Sequence, residues 1–232
     1  MTPLVLLPGM MCDARLFSPQ IAAFSAERAV HVAPLTQHAT IKALARSVLD
    51  HAPPYFALAG LSMGGIVAME MMRQAPNRIT HLALMDTNPR AELAKVSARR
   101  APQIANVRAG ELRSVMRDEM KPNYLSDGPH LGAILDLCMA MAEALGPEVF
   151  ERQSRAIQHR PDLQESLREV SVPTLIMCGE DDMLCPLERH QLMHELVSGS
   201  TLSIIPEAGH LPTLEQPALT TKLLKQWLAL TE

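Results

Sequence analysis

The sequence predicts an α/β fold: a mostly parallel six-stranded sheet with helices on both faces and an all-helical segment inserted before the last two strands. Three observations predict it. Short aliphatic runs alternate with helix-length stretches at both ends of the chain, the pattern of βα units. Between Asp86 and Val172 the strands give way to helical stretches punctuated by Gly and Pro. Finally, 232 residues at 47% hydrophobic content supply one sizeable core and require no second independent domain.

Strands are expected at Leu4–Leu7, Ala29–Leu35, Tyr55–Ala59, His81–Asp86, Thr174–Cys178 and Thr201–Ile205, each a β-branched or aliphatic run. Helices are expected at Ser18–Ser25, Ile41–His51, Met63–Gln74, Pro186–Val197 and Pro217–Leu230. In the last of these, Leu223, Leu224, Trp227 and Leu228 share one face, which should pack on the sheet. Residues 1–87 and 171–232 thus form a core, and 88–170 a helical insertion with breaks at Gly110, Pro122, Gly128-Pro129, Gly146-Pro147 and Pro161. Within it, Leu131, Ile134, Leu135, Cys138, Met139, Met141, Ala142 and Leu145 make a broad apolar stripe that must be covered, with Asp136 and Glu143 outside it.

The 21 basic and 25 acidic residues give a formal charge of −4, so nothing electrostatic points to nucleic acid or an anionic membrane as partner. No apolar run approaches the ~20 residues of a membrane span, and residues 4–7 are too few for a signal segment. Cys12, Cys138, Cys178 and Cys185 are scattered without a Cys-x-x-Cys pair, which suits reduced thiols in a cytoplasm. Fifteen methionines against seven aromatic residues suggest an adaptable apolar lining, although most of the methionines should simply fill the core.

Chemistry concentrates around Ser62. The pentapeptide Gly60-Leu-Ser62-Met-Gly64 follows an apolar run and opens a helix, the sequence form of a nucleophile elbow. A serine held there needs a base and a third group to orient that base. His210, in Glu207-Ala-Gly-His210-Leu-Pro after the last strand, is the base candidate. The acid comes from a carboxylate-rich loop, Gly179-Glu-Asp-Asp182-Met-Leu-Cys-Pro186, after the preceding strand. Asp181 and Asp86 compete with Asp182 for that role.

In the order serine, acid, histidine, the chain resembles the α/β-hydrolases over nearly its whole length. That family commonly carries its acid in a Gly-x-x-Asp-x-x-x-Pro loop, matched by Gly179, Asp182 and Pro186, and its base in a Gly-His loop, matched by Gly209-His210. The resemblance implies Ser62 as nucleophile, Asp182 and His210 as its partners, and an oxyanion hole built from the backbone amides of Met63 and Met10. Pro8-Gly9-Met10 stands where the family usually has His-Gly-x, but the donor is a backbone group and survives the change. The insertion would be a helical cap over the site. A first strand at residue 4 leaves no room for the antiparallel strands that often come earlier in the family, so a trimmed six-stranded sheet follows. No metal or organic cofactor is implied. The implied activity is hydrolysis of small or medium apolar carboxylic esters through an acyl-enzyme, and the same triad supports thioester, lactone or C–C bond cleavage. A non-catalytic ligand receptor on the same fold is the rival from another class.

His190 and His194, four residues apart on a helix, read as a solvated face in the absence of a third zinc ligand. Cys12 and Cys185 read as pocket lining or packing. Met10, Met11, Met63 and some methionines of the insertion are candidates for the acyl pocket. Arg99, Arg100, Arg108, Arg113 and Arg117 read as a solvated face that could also meet an acidic carrier.

Overall fold

The computed structural model describes residues 1–120 and 124–230, so the break expected at Pro122 lies outside the described residues. Six strands form one sheet: β1 (Leu4–Leu7), β2 (Val30–Val32), β3 (Phe56–Leu61), β4 (Ile79–Met85), β5 (Thr174–Gly179) and β6 (Thr201–Ile205). Their order is β2-β1-β3-β4-β5-β6, and every pairing is parallel. The second strand is shorter than expected. Only Val30–Val32 pair with β1, at the sheet's edge, where Pro34 has no amide to donate.

β1, β3 and β5 are buried along their whole length, as strands covered on both faces must be. Alternation along β1 assigns the two faces. Val5 and Leu7 join one apolar cluster with α2 (Ile41–His51), α3 (Met63–Gln74) and α7 (Leu187–Leu196). Leu4 and Leu6 join the other, with α1 (Ser18–Phe24) and α8 (Pro217–Leu228). On that second face the central strands carry small residues, Ala57, Ala59 and Ala83, in the same cluster as the bulky Phe17, Phe24 and Trp227. Leu224 and Trp227 are buried and Leu223 and Leu228 partly so, as the spacing in the last helix predicts.

Between β4 and β5 lie α4 (Ala94–Arg108), a helical turn at Leu112–Ser114 running into a π-helical turn at Val115–Met120, then α5 (Leu131–Leu145), α6 (Pro147–Gln158) and a short helix at Gln164–Arg168. The apolar stripe of α5 is covered: Ile134, Cys138, Met141 and Ala142 are buried, whereas Asp136 and Glu143 face solvent. No helix among the described residues is long and apolar enough to cross a membrane.

The strand order reverses direction at β1, which pairs with β2 on one side and β3 on the other. Loops leaving β1 and β3 therefore diverge at their carboxyl ends and open a crevice, the usual place for a ligand in an open parallel sheet. Ser62 ends β3 at that crevice.

Candidate active site

Ser62 has φ 55° and ψ −116°, a left-handed backbone that a non-glycine residue adopts only when its surroundings enforce it. The enforcement is visible in the flanking glycines. A Cβ on Gly60 would overlap the Gly64 carbonyl, and one on Gly64 would overlap the Leu7 carbonyl, so the turn closes only because both side chains are missing. The Ser62 amide continues the β-ladder to the Met85 carbonyl (2.9 Å), and its own carbonyl accepts from Thr87 Oγ1 (2.7 Å).

Strand ends bring the partners in. The Ser62 hydroxyl donates to His210 Nε2 (2.8 Å), and His210 Nδ1–H donates to Asp182 Oδ2 (2.8 Å). The other Asp182 oxygen accepts the amides of Leu184 (2.8 Å) and Cys185 (2.9 Å). Burial works against the charged carboxylate, but the His210 charge and hydrogen bond, with the two amides, outweigh it and pull Asp182 down to about 2. His210 and Asp182 are both buried, so the contact between them is shielded from water, while Ser62 lies at the cavity.

The competing carboxylates sit elsewhere. Asp181 is exposed and accepts from the Ser126 hydroxyl at 2.6 Å. Asp86 is fully buried behind the chain, its Oδ1 accepting the Gly179 amide at 2.8 Å. Burial, followed by the neighbouring Asp182 charge, raises the Asp86 pKa well above the usual carboxylate range. Met10 and Met63 flank Ser62, and no acceptor among the described residues engages either backbone amide.

Several supporting residues went unnoticed in the sequence. Gln153 of α6 accepts the Met11 amide (2.8 Å) and donates to the Leu35 carbonyl (2.9 Å), pinning the loop after β1 to the helical insertion. Met11 itself has φ 56° and is buried in the core, so of the candidate lining methionines only Met10 and Met63 face the cavity, joined by Met120 and Met183. Glu215 accepts three backbone amides, those of Ser126 (2.8 Å), Gly209 (2.9 Å) and Leu211 (2.9 Å), and so fixes both sides of His210.

His190 departs from the solvated-face reading. It is wholly buried, and its Nε2 accepts the Thr87 amide at 3.1 Å, while His194 is exposed and pairs with Ser200. Burial lowers the His190 pKa to about 4, so the ring is neutral and holds Thr87, which in turn holds the Ser62 carbonyl.

A cavity of about 370 Å³ opens over Ser62, Met63 and His210 and is walled by the insertion through Arg99, Arg100, Met120 and Arg160. It is more polar than the methionine content suggests, because arginines share the wall with the methionines. Of the arginines read as a solvated face, Arg108 pairs with Glu151, Arg113 with Glu143 and Arg117 with Asp118, whereas Arg99 and Arg100 line the cavity. Cys185 also lines it, and Cys12 is buried in the core. Asp182, Cys185 and His210 bring a carboxylate, a thiol and an imidazole within 4.8 Å of one another. Burial raises the Cys185 thiol pKa, keeping it protonated, and Asp182 already holds the imidazole, so the group is poorly suited to a metal ion.

Comparison with known proteins extends the fold and sequence pattern beyond this chain. A thermophilic esterase of Thermogutta terrifontis, solved with malate bound, superposes with a TM-score of 0.89 at 27% identity, covering 98% of this chain and 89% of that one. A pimeloyl-[acyl-carrier protein] methyl ester esterase of Legionella pneumophila is 23% identical over 97% of this chain and 95% of its own length. A Bacillus subtilis protein named for 2-succinyl-6-hydroxy-2,4-cyclohexadiene-1-carboxylate synthase activity is 27% identical over 74% of this chain, which spans 65% of that relative. The model of the alpha/beta hydrolase family matches residues 4–223. With nearly the whole chain matched and the sheet order and elbow in place, the protein belongs to the alpha/beta hydrolase family.

Proposed function

We propose that the protein is a serine hydrolase that cleaves small to medium carboxylic esters through an acyl-enzyme. The observation that carries this reading is the continuous hydrogen-bonded chain from the Ser62 hydroxyl through His210 to Asp182, closed by two 2.8 Å contacts. Ser62 Oγ attacks the ester carbonyl carbon as His210 Nε2 takes its proton, and Asp182 keeps Nδ1 protonated and stabilises the imidazolium. Negative charge on the carbonyl oxygen falls to the amides of Met10 and Met63. His210 then gives its proton to the departing alcohol. Water attacks the acyl-enzyme by the reverse sequence, with His210 as base.

The helical segment 88–170 acts as a cap that shapes the acyl site, since it supplies much of the cavity wall. Esterase names on the Thermogutta and Legionella proteins support ester cleavage. The four buried cysteines, with no Cys-x-x-Cys pair in the sequence, fit a reducing, cytoplasmic setting. A fluorophosphonate probe should label Ser62, and Ser62→Ala should abolish labelling and lower turnover by roughly 10⁴-fold or more. Wild-type turnover in purified Ser62→Ala would overturn the reading, and folded wild-type protein that resists the probe would favour a receptor. Panels of p-nitrophenyl esters, thioesters and lactones would rank the bond types.

A further inference from the structure

The cavity over Ser62 carries charge of the opposite sign to the molecule. Among the described residues, Arg99, Arg100, Arg160 and Arg189 line it against Glu92 and Glu119, on a chain whose formal charge is −4. Deep in the wall one carboxylate serves two guanidinium groups. Glu92 Oε2 meets Arg100 Nη2 at 2.9 Å and its Oε1 meets Arg160 Nη2 at 3.3 Å, with side-chain exposures of 6% for Glu92, 12% for Arg100 and 8% for Arg160. Arg189 adds a further positive charge, its Nη1 donating to the Leu184 carbonyl (2.8 Å) and lying 3.7 Å from the Cys185 sulfur.

Donors are left over as well. Arg100 Nε is buried and has no hydrogen-bond partner among the described residues, and its Nη1 meets the Met10 sulfur at 4.0 Å. Burial lowers the Arg160 pKa, with repulsion from Arg100 and Arg189 adding to it and Glu92 opposing it, so these positive charges act on one another. The Asp182 carboxylate lies behind His210 and is already committed to it. One carboxylate shared by two guanidinium groups leaves this buried cluster with excess positive charge, and guanidinium groups are the preferred binders of carboxylates.

Resting on the reading of Ser62 as the nucleophile of this cavity, we propose that the acyl group of the substrate ends in a carboxylate held by Arg100 and Arg189, making monoesters of short dicarboxylic acids the preferred substrates. The cavity's volume of about 370 Å³ is at the small end for ligand pockets and suits a short chain. The anion enters with the substrate and supplies the missing counter-charge. It also fixes the acyl chain at both ends, one at the arginines and one at Ser62.

The test compares esters matched in acyl length: p-nitrophenyl hydrogen glutarate against p-nitrophenyl pentanoate, and the hydrogen adipate against the hexanoate. The wild type should favour the charged ester in kcat/KM by about 10- to 100-fold, the worth of one charge-assisted contact. Arg189→Met and Arg100→Gln should each collapse that ratio, and the surface variant Arg108→Gln should leave it in place. Free glutarate should bind the wild type by calorimetry and bind Arg189→Met more weakly, a readout that survives even if no ester is turned over. A wild-type ratio at or below one, a ratio unmoved in both cavity variants, or inorganic phosphate displacing glutarate as the tighter ligand would each overturn the carboxylate assignment. Fluorophosphonate labelling of Ser62 in the same samples reports separately on the nucleophile, so the two readings fail independently.

Discussion

Gln153 offers the sharpest test of how the insertion supports the chemistry. Its side chain is 1% exposed and bridges two buried backbone groups, the Met11 amide and the Leu35 carbonyl, at 2.8 and 2.9 Å. Gln153→Met keeps the volume but removes both bonds. Each orphaned buried group costs about 1–3 kcal/mol, so urea unfolding should show a loss of about 2–6 kcal/mol. Because Met11 directly follows the proposed donor Met10, a loosened loop should also lower kcat by roughly 10-fold or more, short of the roughly 10²- to 10³-fold lost with an oxyanion donor outright. Gln153→Glu separates the two effects. It keeps an acceptor for the Met11 amide but turns a carboxylate oxygen toward the Leu35 carbonyl, so stability should fall while kcat is better preserved. If Gln153→Met unfolded within about 0.5 kcal/mol of wild type and kept its kcat, the bridge would have no role in holding the loop.

The other expectations concern charge and capping. His190 is neutral when folded, with a pKa near 4 against 6.5 for an unperturbed ring, so the unfolded chain binds the extra proton between those values. Stability should therefore fall by about 3 kcal/mol as pH drops through that window, and the slope should flatten in His190→Leu when unfolding is followed across the range. The Asp182 carboxylate, depressed to about 2, adds its own loss only below 3.8 and so stays outside the window. Asp182→Asn should lower kcat by roughly 10⁴-fold by spoiling the imidazole tautomer, whereas Asp86→Asn, which keeps an acceptor for the Gly179 amide, should stay within about tenfold. The reverse ranking in steady-state assays would move the acid role to Asp86. Arg78 donates to the carbonyls of Leu49, Ala52, Pro53 and Pro54 at the end of α2, and Arg78→Ala should lower the unfolding free energy by about 2 kcal/mol in denaturant titrations.

The sheet and the elbow were legible because their signals are local. Gly60 and Gly64 bracket Ser62 at the spacing that the turn requires, and every strand run except the second ends in the loop that carries a candidate residue. The strand at Ala29–Leu35 was overread because β-propensity does not register an edge position with Pro34 in it. The burial of His190 is not legible in the sequence, because the i, i+4 spacing to His194 says nothing about what covers each ring. Its partner, the Thr87 amide, lies 103 residues away. Gln153 and Glu215 were missed for the same reason: their partners are backbone groups, which carry no residue-specific mark in a sequence. The basic cavity is hidden in a row of arginines of which three form surface pairs and two line the cavity.

The left-handed backbone at Ser62 has a consequence for how such a protein can change. Strain of this kind is worth about 1–3 kcal/mol, and glycine would relieve it while removing the hydroxyl. A lineage released from catalysis would thus find a more robust fold one substitution away, and a library screened for thermal resistance alone would drift the same way. Under the proposed mechanism, serine stays at this torsion for its hydroxyl, at the expense of stability.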